Sequence, residues 1–292
     1  MSEQLDRLIQ TLRQYCSGGI VLGFSGGTDS ALLLAVLSRL RKEKEYPLAA
    51  VMMRSAFQLD QECTEAEFLA QQFQVPFFLL DYDPLSLPEI RHNVPDRCYF
   101  CKKHFFSKIL SFARKKGIGY VLDGTNRDDL TKYRPGLKAV QELGIKSPLA
   151  ESGLSKAEIR AISRELELPT AEKPAAPCLA TRFDYGMKLS EEKIRNVGKG
   201  EAIIRKFLPE AKEIRLRQEN DGVRIEVSSA VLPDLMNCRE AVFRELSRLG
   251  FSGITIDPRG YRSGSFDQFP HLRLKNPEMA VTVQQIKQES GL

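Results

Sequence analysis

The sequence has no apolar run as long as the roughly 18 residues that a membrane-spanning helix needs, so no transmembrane segment is expected. Its first residues, 1–4, are polar and acidic, unlike the basic and apolar start of a secretory signal peptide. Six cysteines in 292 residues do not resemble the disulfide framework of a small secreted protein. These absences predict a protein of the reducing cytoplasm, where cysteines more often serve catalysis or bind metals.

The sequence has no large net charge of either sign. Lysine and arginine together number 43 and aspartate and glutamate 38, which leaves a net charge of +5. This excess is spread along the chain, and no basic stripe interleaved with aromatic residues is visible, so nucleic acid is not expected as a partner. A mildly basic balance instead fits an anionic small-molecule substrate.

The stretch Ser25–Ser30, SGGTDS, lies between two apolar runs, of which the first predicts a buried strand and the second a buried helix. Gly26 and Gly27 have no Cβ atom, so the backbone can turn sharply and approach an anion closely. The N–H groups at the start of the helix would point at that anion, and the helix dipole adds to the attraction. Strand, glycine loop and helix together predict a phosphate cradle.

Two common phosphate-binding motifs are missing from this stretch. A Walker P-loop needs a lysine directly before the serine, and a dinucleotide loop needs G-x-G-x-x-G. The pattern S-G-G-x-D-S instead resembles the PP-loop of the ATP pyrophosphatases, which split ATP between the α- and β-phosphates. The residues predicted to bind ATP through this loop are Ser25, Gly26, Gly27, Asp29 and Ser30.

Strand and helix signals alternate over the first half of the chain, which predicts an α/β fold with a parallel sheet covered on both faces. Ligands in such sheets bind beyond the carboxyl ends of the strands. The turn Asp123–Asn126, DGTN, follows a predicted strand just as the PP-loop does, so both should face one pocket. Gly124 and Asn126 therefore join the predicted ATP site.

From about Ser190 the signals change to a helix, a hairpin around an Asp-Gly turn, a second helix and a further strand. This order predicts a second, smaller α+β domain. The predicted divisions are a PP-loop domain with a cysteine site at 1–186, an α+β domain for substrate binding or oligomerisation at 187–270, and a tail at 271–292.

Cys98 and Cys101 form a C-x-x-C motif near a predicted helix start, so both thiols can lie on one helix face. Cys178 lies in a loop rich in proline and alanine. The residues alone leave open unreactive thiols, a zinc site that adds His104, a redox pair, or an iron–sulfur cluster with one open iron. The cluster is favoured, because an open iron can bind an extra sulfide. The other cysteines are interpreted as small core hydrophobes: Cys16, Cys63 and Cys238.

Several longer blocks point beyond the PP-loop superfamily. They are RCYFCK (97–102), DGTNRDD (123–129), YRPGLKAV (133–140), SPL (147–149), LSKAEIR (154–160), PCLATRFDYG (177–186), RLRQENDGVRIEV (215–227) and DPRGYRSGS (257–265). Together with SGGTDS they resemble the LarE family, ATP-dependent sulfur transferases of nickel-pincer nucleotide biosynthesis. The resemblance covers about residues 5–266.

The resemblance implies that ATP adenylates a carboxylate of a pyridinium mononucleotide and that sulfur then displaces AMP to leave a thiocarboxylate. It implies ATP and Mg²⁺, and one of two sulfur chemistries. In one, Cys98, Cys101 and Cys178 hold a 4Fe–4S cluster that carries an extra sulfide. In the other, Cys178 gives up its own sulfur. The presence of all three thiols favours the cluster.

The resemblance also implies roles for charged residues in the second half of the chain. Arg215 and Arg217 match arginines that hold a substrate phosphate, and two residues two apart on a strand share a face. Arg262 matches a further pocket arginine. Acidic residues near the cysteine of the family are matched by Glu201, Glu226 and Asp234. Cys178, Asp29 and Glu201 are taken as the catalytic residues.

Partners follow from the same resemblance: a small-molecule nucleotide substrate, a sulfide source or cysteine desulfurase, and further copies of the chain in a trimer or hexamer. A PP-loop tRNA thiolase stays open as the alternative, because those enzymes also combine S-G-G-x-D-S with a C-x-x-C and a third cysteine. An amide-forming PP-loop synthetase and a non-enzymatic ATP sensor stay open too. The synthetase would not need the cysteines.

Overall fold

The computed structural model describes residues 2–131 and 134–262. The predicted tail, 271–292, and the last residues of the predicted second domain, 263–270, lie outside the described residues. Within the described residues, no helix is long and apolar enough to cross a membrane.

The chain divides into two compact units by its internal contacts. Among the described residues, the first unit comprises 2–83, 98–131 and 134–176, and the second comprises 84–97 and 177–262. Cys98 and Cys101 thus belong to the first unit and Cys178 to the second. The assignment of separate roles to two domains stays a prediction.

The described helices run in chain order as α1 (Glu3–Cys16), α2 (Thr28–Glu43), α3 (Asp60–Gln72), α4 (Pro88–Arg91), α5 (Arg97–Lys115), α6 (Arg127–Leu130), α7 (Gly136–Glu142), α8 (Pro148–Glu151), α9 (Lys156–Glu165), α10 (Glu191–Phe207) and α11 (Leu232–Arg248). The described strands are β1 (Ile20–Gly23), β2 (Leu48–Arg54), β3 (Phe77–Asp81), β4 (Tyr120–Leu122), β5 (Ile214–Glu219), β6 (Gly222–Val227) and β7 (Ile254–Ile256).

The first unit is built on a parallel four-stranded sheet in the order β3-β2-β1-β4. Alternate residues of β1 belong to two different cores: Ile20 and Leu22 pack with α1, α2, α3 and α9, whereas Val21 packs with α5. Side chains of a strand alternate between the two faces of its sheet, so both faces are covered by helices. This confirms the predicted α/β fold with a parallel sheet.

The second unit has a three-stranded sheet in the order β5-β6-β7, in which β5 and β6 are antiparallel and β7 runs parallel to β6. Glu219 pairs with Gly222, so the hairpin turns at residues 220–221, next to the predicted Asp-Gly signal. Helix α10 packs on β5 and on α11. These contacts form the predicted small α+β unit.

Gly200 lies on α10, where that helix packs on β5. A Cβ atom at this position would lie 2.4 Å from Leu216 Cδ2 and 3.2 Å from Leu246 Cδ2. Although alanine is the better helix former, we expect Gly200→Ala to lower the free energy of unfolding by about 1–3 kcal/mol through overpacking. Denaturant unfolding followed by circular dichroism measures the change.

Lys199→Ala is the matched control, because Lys199 is exposed on the same helix. We expect it to change stability by less than about 0.5 kcal/mol. A Gly200→Ala protein as stable as the wild type would mean that α10 does not pack on β5 as closely as described.

Candidate active site

The PP-loop leads from the end of β1 into α2. Gly26 has a φ of +67°, a conformation that glycine adopts without strain, and its Cα faces Ala66 so closely that a Cβ would lie 3.1 Å from that side chain. Gly27 occupies the cap position of α2 and, as a glycine, offers no side chain to the first N–H groups of the helix. These amides are therefore available to an anion, as the sequence predicted.

The two serines of the loop bind each other. Ser30 Oγ accepts a hydrogen bond from the Ser25 backbone N–H at 3.3 Å, and the two hydroxyl oxygens lie 3.2 Å apart. Ser25 Oγ also accepts from the Gly27 N–H at 3.4 Å. Both hydroxyls thus lie among the backbone amides of the cradle, where they can donate to a phosphate oxygen.

Asp29 projects from the first turn of α2 and is paired with a cation. Lys156 Nζ lies 2.7 Å from each carboxylate oxygen of Asp29. Burial raises the pKa of Asp29, and the hydrogen bond and charge of Lys156 oppose that rise, while the nearby Asp129 adds to it. Lys156 is the first residue of α9, and the sequence pattern gave no reason to place it in the site.

A turn at residues 170–173 is hydrogen-bonded to the PP-loop and to the start of α2. Thr28 Oγ1 donates to the Thr170 carbonyl at 2.9 Å, and Arg160 Nη2 donates to the Lys173 carbonyl at 2.8 Å. Lys173 Nζ in turn donates to the Gly26 carbonyl at 3.2 Å. A second lysine that sequence reasoning missed therefore lies on the PP-loop.

The DGTN turn lies beside the start of α2. A Cβ on Gly124 would lie 3.3 Å from Asp29 Cβ, a tight contact that the glycine avoids. The Asn126 side chain caps α6 by accepting from the Asp129 N–H at 3.2 Å. The structure thus brings Gly124 next to the PP-loop. The side-chain oxygen of Asn126, by contrast, is bound to the Asp129 N–H of its own turn.

Asp123 holds this turn in shape. Its carboxylate accepts hydrogen bonds from the Thr125 N–H at 3.1 Å, the Thr125 hydroxyl at 2.6 Å and the Ser147 hydroxyl at 2.7 Å. Lys102 Nζ lies 3.8 Å from the same carboxylate. The C-x-x-C block, which contains Lys102, is therefore in contact with the DGTN turn within the first unit.

Cys98 and Cys101 lie one turn apart on α5, the first exposed and the second half-buried. His104, the added ligand of the zinc alternative, is exposed on the same helix. Among the described residues, no three His, Cys, Asp or Glu side chains group so that they could hold a metal ion. The zinc and iron–sulfur interpretations of these cysteines therefore stay predictions.

Cys178 begins a short 3-10 turn in the second unit and is half-buried. Its carbonyl oxygen accepts from the Thr181 N–H at 3.0 Å and from the Thr181 hydroxyl at 2.9 Å. Arg182 donates to the Pro177 carbonyl at 3.0 Å. These bonds fix the backbone on both sides of the Cys178 side chain.

Glu201 forms a buried ion pair with the arginine of the cysteine loop. Arg182 Nε and Nη2 lie 2.7 Å and 2.9 Å from the two carboxylate oxygens of Glu201, which also accepts from the Leu216 N–H at 2.9 Å. A bidentate pair of this kind is strong and directional. Glu201 therefore orients Arg182 and, through it, the loop that carries Cys178.

A second buried network surrounds Glu226. Arg217 Nε lies 3.0 Å from Glu226 and its Nη1 donates to the Thr181 carbonyl at 2.7 Å. Arg224 bridges Glu226 at 2.9 Å and Asp257 at 2.8 Å. Glu226, which as an isolated carboxylate would be interpreted as a surface charge, is 3% exposed.

Arg215 is buried next to this network and lies over the ring of Tyr261, 5.0 Å from its centre. Burial lowers the pKa of Arg215, and repulsion from Arg182 lowers it further. The two remaining predicted residues, Asp234 and Arg262, are exposed.

A polar cavity of about 320 Å³ in the same unit lies around the β5–β6 turn and contains none of the predicted site residues.

We expect iodoacetamide to label Cys98 faster than Cys16 and Cys63 in metal-free folded protein. Cys98 is exposed, whereas burial raises the pKa of the Cys16 and Cys63 thiols and leaves less of the reactive thiolate. Peptide mass mapping during alkylation gives the three rates, which should converge in denaturant. Equal rates in the folded protein would contradict the burial of Cys16 and Cys63.

Comparisons with known proteins place this site among related enzymes. Residues 1–92, which contain the PP-loop, match the NAD synthase family. The chain is 36% identical to the pyridinium-3,5-bisthiocarboxylic acid mononucleotide synthase of Lactiplantibacillus plantarum over 84% of this chain and 87% of that enzyme. It is also 33% identical to an uncharacterised Synechocystis protein over 90% of this chain and 98% of that protein.

The tRNA-specific 2-thiouridylases are more distant relatives. That of Thermus thermophilus is 28% identical over 53% of this chain and 52% of its own length. The similarity to thiouridylases thus extends over about half of each chain, whereas the similarity to the mononucleotide synthase extends over most of both.

Proposed function

The chain belongs to the LarE family, that of the pyridinium-3,5-bisthiocarboxylic acid mononucleotide synthase, and from this premise we propose that it is an ATP-dependent sulfurtransferase. Its substrate is a pyridinium mononucleotide that carries a carboxylate. The enzyme adenylates this carboxylate, releases pyrophosphate and replaces AMP by sulfur. The observation that carries the proposal is the PP-loop, where uncapped amides, two hydroxyls and Asp29 surround one anion-binding position.

Adenylation needs a pyrophosphate leaving group held in place. A carboxylate oxygen of the substrate attacks the α-phosphorus of ATP, and the bond between the α-phosphorus and the bridging oxygen breaks. Negative charge then grows on the leaving pyrophosphate, which the α2 amides and the Ser25 and Ser30 hydroxyls stabilise. ATP enters as its Mg²⁺ complex, and the Asp29 carboxylate is an oxygen ligand of the type that Mg²⁺ prefers.

Sulfur transfer follows at the acyl carbon. A nucleophilic sulfur attacks the mixed anhydride, AMP leaves with one oxygen of the original carboxylate, and a thiocarboxylate remains. Cys178 is the proposed sulfur-handling residue, and Arg182 donates to its carbonyl oxygen at 3.4 Å. Cys98 and Cys101 are its proposed partners in a 4Fe–4S site supplied by a sulfide source or cysteine desulfurase. A sacrificial Cys178 is the competing route.

The substrate phosphate is proposed to bind at the arginines of the second unit, Arg215, Arg217 and Arg262. Arg182 and Arg217 repel Arg215 while Glu201 attracts it, and an anion bound there would add to that attraction, which supports this role. Glu201 and Glu226 act as positioning residues through the arginines that they bind. Asp234 is proposed to act near the cysteine from its place on α11.

We expect Ser25→Ala and Asp29→Ala to reduce pyrophosphate release from ATP in the presence of the mononucleotide by at least about a hundredfold, because both remove groups that orient the leaving group. A coupled pyrophosphate assay measures the rate. Ser107→Ala, an exposed serine on α5 of the same unit, is the control and should retain full activity.

Unchanged pyrophosphate formation in both PP-loop variants would remove the loop from the mechanism. Replacing the mononucleotide with tRNA should give no pyrophosphate release. Release that depends on tRNA would instead favour the thiolase alternative.

The mass of Cys178 after turnover separates the two sulfur routes. If a cluster delivers sulfide, the anaerobically purified protein should be brown with an absorbance maximum at about 400 nm, and Cys178 should keep its mass through repeated turnovers. Peptide mass spectrometry makes the measurement. A loss of about 34 Da at Cys178, one H₂S, would show a sacrificial donor and rule out the cluster route.

A further inference from the structure

Two lysines that the family comparison does not assign contact the PP-loop at different points. Lys156 binds the side chain of Asp29, and Lys173 binds the main chain of the loop at the Gly26 carbonyl. Both belong to the first unit, and both are held by contacts between residues far apart in sequence. The inference drawn from them rests on the proposed function, since it concerns how that site binds ATP.

The backbone of each lysine is fixed, whereas its ammonium group is accessible. The Lys156 N–H donates to Asp128 Oδ2 at 2.9 Å, and the Lys173 carbonyl accepts from Arg160 at 2.8 Å. The side chains are nevertheless 34% and 26% exposed. A lysine whose backbone is fixed and whose side chain is partly exposed can exchange one anionic partner for another without a change of fold.

Each ammonium group is paired with a carboxylate at the site. Lys156 lies 2.7 Å from both oxygens of Asp29, and Lys173 lies 2.9 Å from Glu65 Oε2. Burial acts to raise the pKa of Glu65, but the hydrogen bond and charge of Lys173 outweigh it, so the pKa is lowered. Each lysine thus holds a carboxylate partner that a phosphate could replace.

The charge balance of the loop favours such an exchange. In the nucleotide-free protein, Asp29 adds a negative charge to the cradle, where the phosphates of ATP must approach. Lys156 offsets that charge before ATP arrives. When ATP binds with Mg²⁺, the Asp29 carboxylate can turn to the metal, and the ammonium groups become available to terminal phosphate oxygens.

We propose that Lys156 and Lys173 bind the β- and γ-phosphates of ATP, and that Asp29 and Glu65 hold them in place until the nucleotide arrives. Both lysines then contact the pyrophosphate as it leaves, where the growing negative charge strengthens the contact. AMP lacks these two phosphates, so its binding does not involve either lysine.

Isothermal titration of the full-length protein with MgATP, magnesium pyrophosphate and AMP tests this assignment. We expect Lys156→Met and Lys173→Met each to weaken pyrophosphate and ATP binding by about tenfold or more, and to leave AMP binding unchanged. Lys103→Met is the matched control, because Lys103 forms an exposed ion pair with Glu142 at 3.0 Å elsewhere in the same unit.

Glu65→Gln distinguishes a role of Lys173 in phosphate binding from a purely structural role of the Lys173–Glu65 pair. If Glu65 competes with phosphate for Lys173, this variant should bind ATP more tightly than the wild type. If the pair only holds the 170–173 turn in place, the variant should bind ATP more weakly. Weaker binding, or an equal loss of AMP and pyrophosphate affinity in the lysine variants, would overturn the proposal.

For Lys156, a second substitution in an Asp29→Asn protein shows whether the lysine contacts phosphate directly or acts only through Asp29. In that background, Lys156→Met should still weaken pyrophosphate binding, because the lysine contacts the phosphate itself. No further loss would mean that Lys156 acts only through Asp29, which contradicts the assignment. A wild-type protein that binds no ATP would instead refute the proposed function, so the two failures are distinguishable.

Discussion

The N–H groups at the start of α2 are the feature on which the proposed chemistry depends. The first backbone N–H groups of a helix find no acceptor within the helix itself. Here a glycine precedes α2, so no capping side chain accepts from them. Parallel pairing of β1 with β2 and β4 brings this helix start to the carboxyl edge of the sheet. The DGTN turn reaches the same place, where a Cβ on Gly124 would lie 3.3 Å from Asp29 Cβ. The rest of the first unit supplies the charges around this anion-binding position.

The carboxylates described at the PP-loop and in the second unit orient cations. Asp29 and Glu65 bind lysines at the PP-loop, and Glu201 and Glu226 bind arginines inside the second unit. Removing one partner of a buried pair leaves an uncompensated charge and costs about 3–5 kcal/mol. Variants of Arg217 or Glu226 therefore need a stability measurement beside any activity measurement. Loss of fold and loss of substrate binding would otherwise look alike.

Local patterns account for what the sequence could predict. Glycine content, apolar runs and strand–helix alternation depend on neighbouring residues, so they predicted the PP-loop, the parallel sheet and the hairpin unit. Long-range ion pairs leave no such pattern. Lys156 meets Asp29 across 127 positions of sequence, and no spacing rule links them. Glu226 would be interpreted as a surface charge because its burial depends on Arg217 from the neighbouring strand. The short segment 84–97 has no periodic signal, so its place in the second unit was not predicted.

Carboxylate adenylation is the central step of the proposed reaction, and oxygen-isotope transfer tests it most directly. The pyridinium mononucleotide would carry ¹⁸O in its carboxylates and react with unlabelled MgATP and a sulfur source. If the carboxylate attacks the α-phosphorus and sulfur then displaces AMP, one labelled oxygen must leave on the phosphate of AMP. Mass spectrometry of the nucleotide products should therefore find ¹⁸O in AMP and none in pyrophosphate. Unlabelled AMP formed together with thiocarboxylate, or ADP as the nucleotide product, would contradict activation at the α-phosphate.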